Sequence, residues 1–218
     1  YSSYEELKEV KLSLESQFAG YEILKQEKDR IIIEKISEDD FEQFDSVLRR
    51  FFMIVEGMGE DMAAAIEKND FEWLKTISLI KFDSDRLADY TRRAINMKFK
   101  SDYKRLGPLY TVIEQIEKVS DNYQEMCLYI SEKKIDMSKE LKELLKIQVG
   151  YLKLFSSIFF KFNLNKMIEL KKEKDDYEKE MLKTLQKCKD KERYIVLIID
   201  RLMRKIYSLN GPLMSVYI

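Results

Sequence analysis

Four carboxylates have the spacing most open to chemistry. Asp85 and Asp89 stand four residues apart, and so do Glu117 and Asp121. On an α-helix, residues i and i+4 lie one above the other on the same face. Like charges so placed repel by about 0.2–0.5 kcal/mol when exposed, and by more when half-buried, unless a cation sits between them. One pair from each of two neighbouring helices would make a four-carboxylate site for a hard or borderline cation such as iron, manganese, zinc or magnesium. The competing reading is two solvated faces, since in a chain with 36% charged residues such pairs arise often by chance.

Other chemistry is narrowed by what the chain lacks. There is no histidine, which removes the usual general base near neutral pH, the Ser-His and Cys-His nucleophile pairs and every imidazole metal ligand. There is no Gly-rich phosphate loop, no G-x-S-x-G and no His-based zinc motif. The chain reads as a regulatory or binding protein rather than an enzyme. With 39 basic and 40 acidic residues it offers no whole-molecule electrostatic case for nucleic acid or an anionic membrane. Two cysteines, Cys127 and Cys188, make no disulfide framework and suit a reducing cytoplasm as core or half-buried residues. The most apolar stretch, 150–162, is interrupted by Lys153 and Lys161, so no membrane span is expected. The chain begins at Tyr1 rather than Met, which predicts further residues upstream.

The elements that must position the carboxylates are helices. Only 6 Gly and 2 Pro punctuate the backbone, too few for a sandwich of short strands. Residues 1–40 differ from the rest: a short helix over 4–18 broken by Gly20, then two β-rich runs, 21–25 and 30–34, predicting a hairpin around 26–29. A lone hairpin is marginal, so it must pack on helices or extend a sheet. Ser37 to Asp40 supply caps and an acidic first turn for a first long helix, whose stripe runs from Phe44 to Ile66. Asn69-Asp70 ends it and caps a second helix reaching about Phe99. Gly107-Pro108 is read as a break, with a third helix over 109–131 carrying Tyr110, Ile113, Ile116, Val119, Tyr123, Met126 and Ile130 inward. After a linker at 132–138 the order repeats: helices over 141–162, 164–187 and 192–209, ended by Gly211-Pro212.

The expected fold is therefore mainly all-α: two tandem three-helix bundles, 41–134 and 135–218, after the N-terminal helix and hairpin. Asn69 to Leu74 lies over Phe162 to Met167 in the same role, which reads as an internal duplication. The aromatic helix Tyr151 to Phe162 is apolar on every side, which means core or a partner surface. Three helices alone cannot cover it, so a homodimer is expected. Arg49-Arg50, Arg92-Arg93 and Lys171-Lys172 read as solvated basic steps.

The order Ala64-Ala65-Ile66, Asn69-Asp70, Asp83-Ser84-Asp85-Arg86-Leu87 and Ile113 to Asp121 resembles the phosphate-uptake regulator family, PhoU, over roughly 41–218. Glu117-Lys118-Val119-Ser120-Asp121 looks like that family's E/D-x-x-x-D motif. The resemblance implies two three-helix repeats, and a metal held by Asp85, Asp89, Glu117 and Asp121. Its implied function is regulation of phosphate uptake through contacts with transporter or sensor components. Some relatives carry an AbrB-like DNA-binding domain ahead of the helices, so any DNA contact and direct transcription regulation would belong to residues before Tyr1. Two departures stand out. Lys81 occupies a place where the family often has an acid, and in Asp200 to Arg204 a cation replaces the second acid. The second site is thus expected to be lost or converted to an internal salt bridge.

Overall fold

The computed structural model describes residues 4–17, 21–27, 30–35, 43–98 and 103–217. The chain is mostly helical. Helix α1 (Tyr4–Gln17) is followed by strands β1 (Tyr21–Gln26) and β2 (Ile31–Lys35), then α2 (Phe44–Lys68), α3 (Phe71–Ser78), α4 (Ile80–Lys98) and α5 (Tyr103–Lys133). Next come α6 (Lys139–Phe160), α7 (Leu164–Lys187), a 3-10 turn (Asp190–Glu192), α8 (Arg193–Ser208) and α9 (Asn210–Tyr217). The strands form the expected antiparallel hairpin, with Tyr21 opposite Lys35 and Gln26 opposite Ile31, and one irregularity between Ile23 and Lys25. The capping stretch 37–40, Gly20 and the end of the second helix at Phe99 lie outside the described residues.

The first junction forms as its sequence predicts. Asn69 takes the left-handed conformation (φ 54°) that asparagine tolerates better than most residues, and ends α2. Asp70 then accepts a hydrogen bond from the Trp73 N–H at 2.9 Å and caps α3. The equivalent junction in the second half is capped alike, Asn163 accepting from the Lys166 N–H at 3.2 Å.

Four expectations need correction. The second helix is divided at Leu79: the Ser78 carbonyl accepts from the Gln124 side chain on α5 at 3.1 Å, while the Phe82 N–H bonds to Leu79 instead. A carbonyl pulled out of the i→i+4 ladder is a known cause of kinks. Gly107-Pro108 does not break α5 but lies inside it, near its start. Gly211-Pro212 likewise opens α9 instead of ending α8. Pro212 falls in the first turn of α9, where the N–H groups have no helical partner, whereas Pro108 is the sixth residue of α5 and takes one N–H out of its ladder. Tyr110, expected inward, is 37% exposed.

A single buried cluster runs from Phe44 to Leu213. Helices α2 to α5 pack on one another, α6 to α8 do likewise, and α2 on α6 with α5 on α8 and α9 joins the two sets. Helices α2 and α6 run antiparallel, since Lys146 pairs with Glu67 and Lys153 with Glu60. The aromatic helix is spent on this contact: Phe52 stacks on Phe159 at 4.8 Å, and Phe160 meets Phe52 edge-on with the Arg49 guanidinium over its ring at 4.4 Å. The surface on which a dimer was expected is thus covered within the chain, with Phe155 and Phe159 buried.

Candidate carboxylate site

Helices α4 and α5 approach closely along a seam of small polar residues. Ser84 and Ser120 are fully buried, and the Ser84 hydroxyl donates to the Ser120 oxygen at 2.8 Å. A short side chain on each helix lets the backbones come near; the Ser120 hydroxyl donates to the Glu117 carbonyl at 2.7 Å, and the single Ser84 proton is shared between Ser120 and the Lys81 carbonyl, also at 2.8 Å. The four predicted carboxylates flank this point in two groups.

On one side Lys81 on α4 reaches Asp85 Oδ2 at 2.5 Å and Asp121 Oδ1 at 3.3 Å, and Lys118 reaches Asp121 Oδ2 at 3.0 Å. On the other, Arg92 bonds Asp89, Glu117 Oε2 at 2.5 Å and Glu114 Oε2 at 2.9 Å. The four residues singled out by spacing thus lie on two facing helices, and each of them already bonds a cation of the protein. Arg92, read as solvated, is half-buried and central, which corrects that expectation. Glu114 and Lys118 were overlooked. Spacing could have found Arg92 with Asp89 (i, i+3) and Lys81 with Asp85 (i, i+4), because such pairs meet on one helical face.

The electrostatics follow the same pattern. Burial pushes the Asp85 carboxyl above its usual range, with Glu117 and Asp121 adding repulsion that Lys81 only partly offsets. Burial alone would depress the Lys81 ammonium, but its bonds to Asp85 and Asp121 outweigh this and raise it. For Arg92 burial is again outweighed, by Glu117 and Asp89. Asp85 Oδ1 is buried with no hydrogen-bond partner.

That one orphaned oxygen is the feature that would welcome a metal. It is a single ligand, whereas magnesium or manganese wants about six oxygens and zinc four. The other carboxylates are engaged by Lys81 and Arg92, and among the described residues no group of three or more Asp, Glu, Cys or His is arranged to hold an ion. The residues present do not fit a metal in this arrangement.

The second half carries the internal salt bridge that its sequence implied, Arg204 Nε donating to Asp200 Oδ2 at 2.7 Å. Each half therefore contains an i, i+4 pair of this kind, Lys81 with Asp85 and Arg204 with Asp200. Cys127 is buried and its thiol pushed up to about 12 by burial, so it is a core residue and no nucleophile. No helix among the described residues is long and apolar enough to cross a membrane. The chain matches no protein-family model, no curated protein and no solved structure.

Proposed function

We propose that the protein is a PhoU-like regulator of phosphate uptake or signalling, built of two three-helix units and working by contact with transporter or sensor proteins rather than by turnover. The observation that carries this reading is the α4–α5 seam, where Asp85 and Asp121 share Lys81 while Asp89 and Glu117 share Arg92. Motif carboxylates that merely decorated a solvated helix would point apart into water. These four converge, as the resemblance implies. The antiparallel α2–α6 pairing and the matching caps at Asp70 and Asn163 support the two-unit division.

In this reading the cluster is held by the chain's own cations, a departure from the metal that the resemblance implies. Lys81 and Arg92 supply the positive charge that keeps the carboxylates together, so the regulator assembles without loading an ion.

Two measurements test the proposal. Elemental analysis of protein purified without chelator should find no stoichiometric metal, and no difference from an Asp85→Asn/Asp121→Asn variant. One ion per chain, lost in that variant, would overturn the metal-free cluster. Deleting the gene should leave phosphate uptake insensitive to external phosphate, and unchanged regulation would sink the functional assignment.

A further inference from the structure

Helix α7 carries two stripes where a surface helix needs only the one that faces its core. The inner stripe is Leu170, Tyr177 and Thr184, buried where α7 packs on α6 and α8. The outer one is Leu164, Ile168, Leu182 and Leu185, each between 42% and 64% exposed. At about 100° per residue these four fall within roughly a third of the helix circumference, turned away from Tyr177. No large apolar side chain of α7 is exposed outside this stripe.

The stripe has a heptad spacing throughout. Ile168, Asp175 and Leu182 form one row and Leu164, Lys171, Glu178 and Leu185 the other, as in the seam of two helices crossing at about 20°. It also reads alike from either end, with two apolar residues about one turn apart at each end and charges in the middle. A second α7 turned end for end, about an axis level with Glu173, sets Leu164 level with Leu182 and within a turn of Leu185. Ile168 then lies within a turn of Leu182, and Lys171 is level with Asp175. A parallel partner would instead set Lys171 against Lys171 and Asp175 against Asp175. The charges suit the antiparallel sense alone. Lys171 makes no ion pair among the described residues, and Asp175 has only a long contact with Lys174, at 4.0 Å. Glu178 is already held by Lys174 at 2.8 Å. Of the lysines bordering one edge, Lys179 is held by Asp176 at 3.0 Å and Lys172 is exposed, so its charge stays in water.

We propose that two copies of the chain pair through α7 in the antiparallel sense, their apolar ends interleaving and Lys171 of each copy meeting Asp175 of the other. The same face serves both copies, so the contact is self-complementary and closes about a twofold axis. A charged layer within an apolar seam costs stability and fixes register, which is the part played by Lys171 and Asp175. The contact lies apart from the α4–α5 seam and from the aromatic helix, and it stands whether or not the regulatory reading holds.

Sedimentation of the full chain at about 100 µM should show a dimer of micromolar affinity, since a single helix pair is a small interface. Ile168→Gln/Leu182→Gln should sediment as a monomer with unchanged circular dichroism, both side chains being exposed. Lys171→Glu and Asp175→Lys should each weaken association about tenfold, because each sets like charges together twice. An equimolar mixture of these two variants restores opposite charges at both contacts, and association should recover to that of the unaltered chain. A monomeric unaltered chain, a species larger than a dimer, a dimer untouched by Ile168→Gln/Leu182→Gln, or a mixture no tighter than its components would each overturn the proposal.

Discussion

Arg92 holds together three carboxylates that would otherwise repel across the α4–α5 seam. Breaking a fully buried pair costs about 3–5 kcal/mol, and at this half-buried site we expect about 2 kcal/mol for Arg92→Ala. The penalty is repulsion among Asp89, Glu114 and Glu117, so it should shrink as salt screens it. Urea titrations of both proteins in low and high salt check this, and a deficit that stays constant would show that Arg92 acts only by packing. Lys81 is different in kind. Its side chain stands where the resemblance expects an acid, and it satisfies Asp85 and Asp121 at once.

Helix α2 offers a matched pair of glycines that separates propensity from packing. Replacing a mid-helix glycine by alanine gains about 0.5–1 kcal/mol where there is room. A Cβ at Gly57 meets nothing within 4 Å, so Gly57→Ala should stabilise by about that amount. At Gly59 the added carbon would stand 2.9 Å from Tyr123 Oη and 3.0 Å from its ring. That ring is buried and its hydroxyl bonded to Gln148 at 3.1 Å, so it cannot swing aside. Overpacking costs about 1–3 kcal/mol, which outweighs the propensity gain, and Gly59→Ala should be net destabilising by about 1 kcal/mol. Thermal melts of the two variants should move in opposite directions. A common shift would mean that Tyr123 relaxes freely.

Across the whole molecule, the two helical sets are joined where Phe52 meets Phe159 and Phe160. Truncating a buried phenylalanine costs about 3–5 kcal/mol, and Phe159→Ala should lose about that much while leaving a single unfolding transition, since one core cluster spans both sets. Two separated transitions would show that the sets fold independently. The same variant bears on assembly. Phe159 is core, so polar substitution there should destabilise the fold rather than release a folded monomer.

Helix content, the hairpin, the Asn69-Asp70 junction and the apolar stripe of α2 were all legible in the sequence, because spacing and caps act over a few neighbouring residues. So was the choice of Asp85, Asp89, Glu117 and Asp121 as residues that share one seam, since i, i+4 spacing fixes a face. Three features were decided only in tertiary structure. The kink at Leu79 depends on a carbonyl that Gln124 claims from 46 residues away. The fate of the aromatic helix depends on α2 lying across it. The filling of the carboxylate cluster by Lys81 and Arg92 depends on how near α4 and α5 come, which Ser84 and Ser120 set by their small size. A sequence names the charges on each helix face, but only the distance between the faces decides whether an ammonium, a guanidinium or an ion will neutralise them.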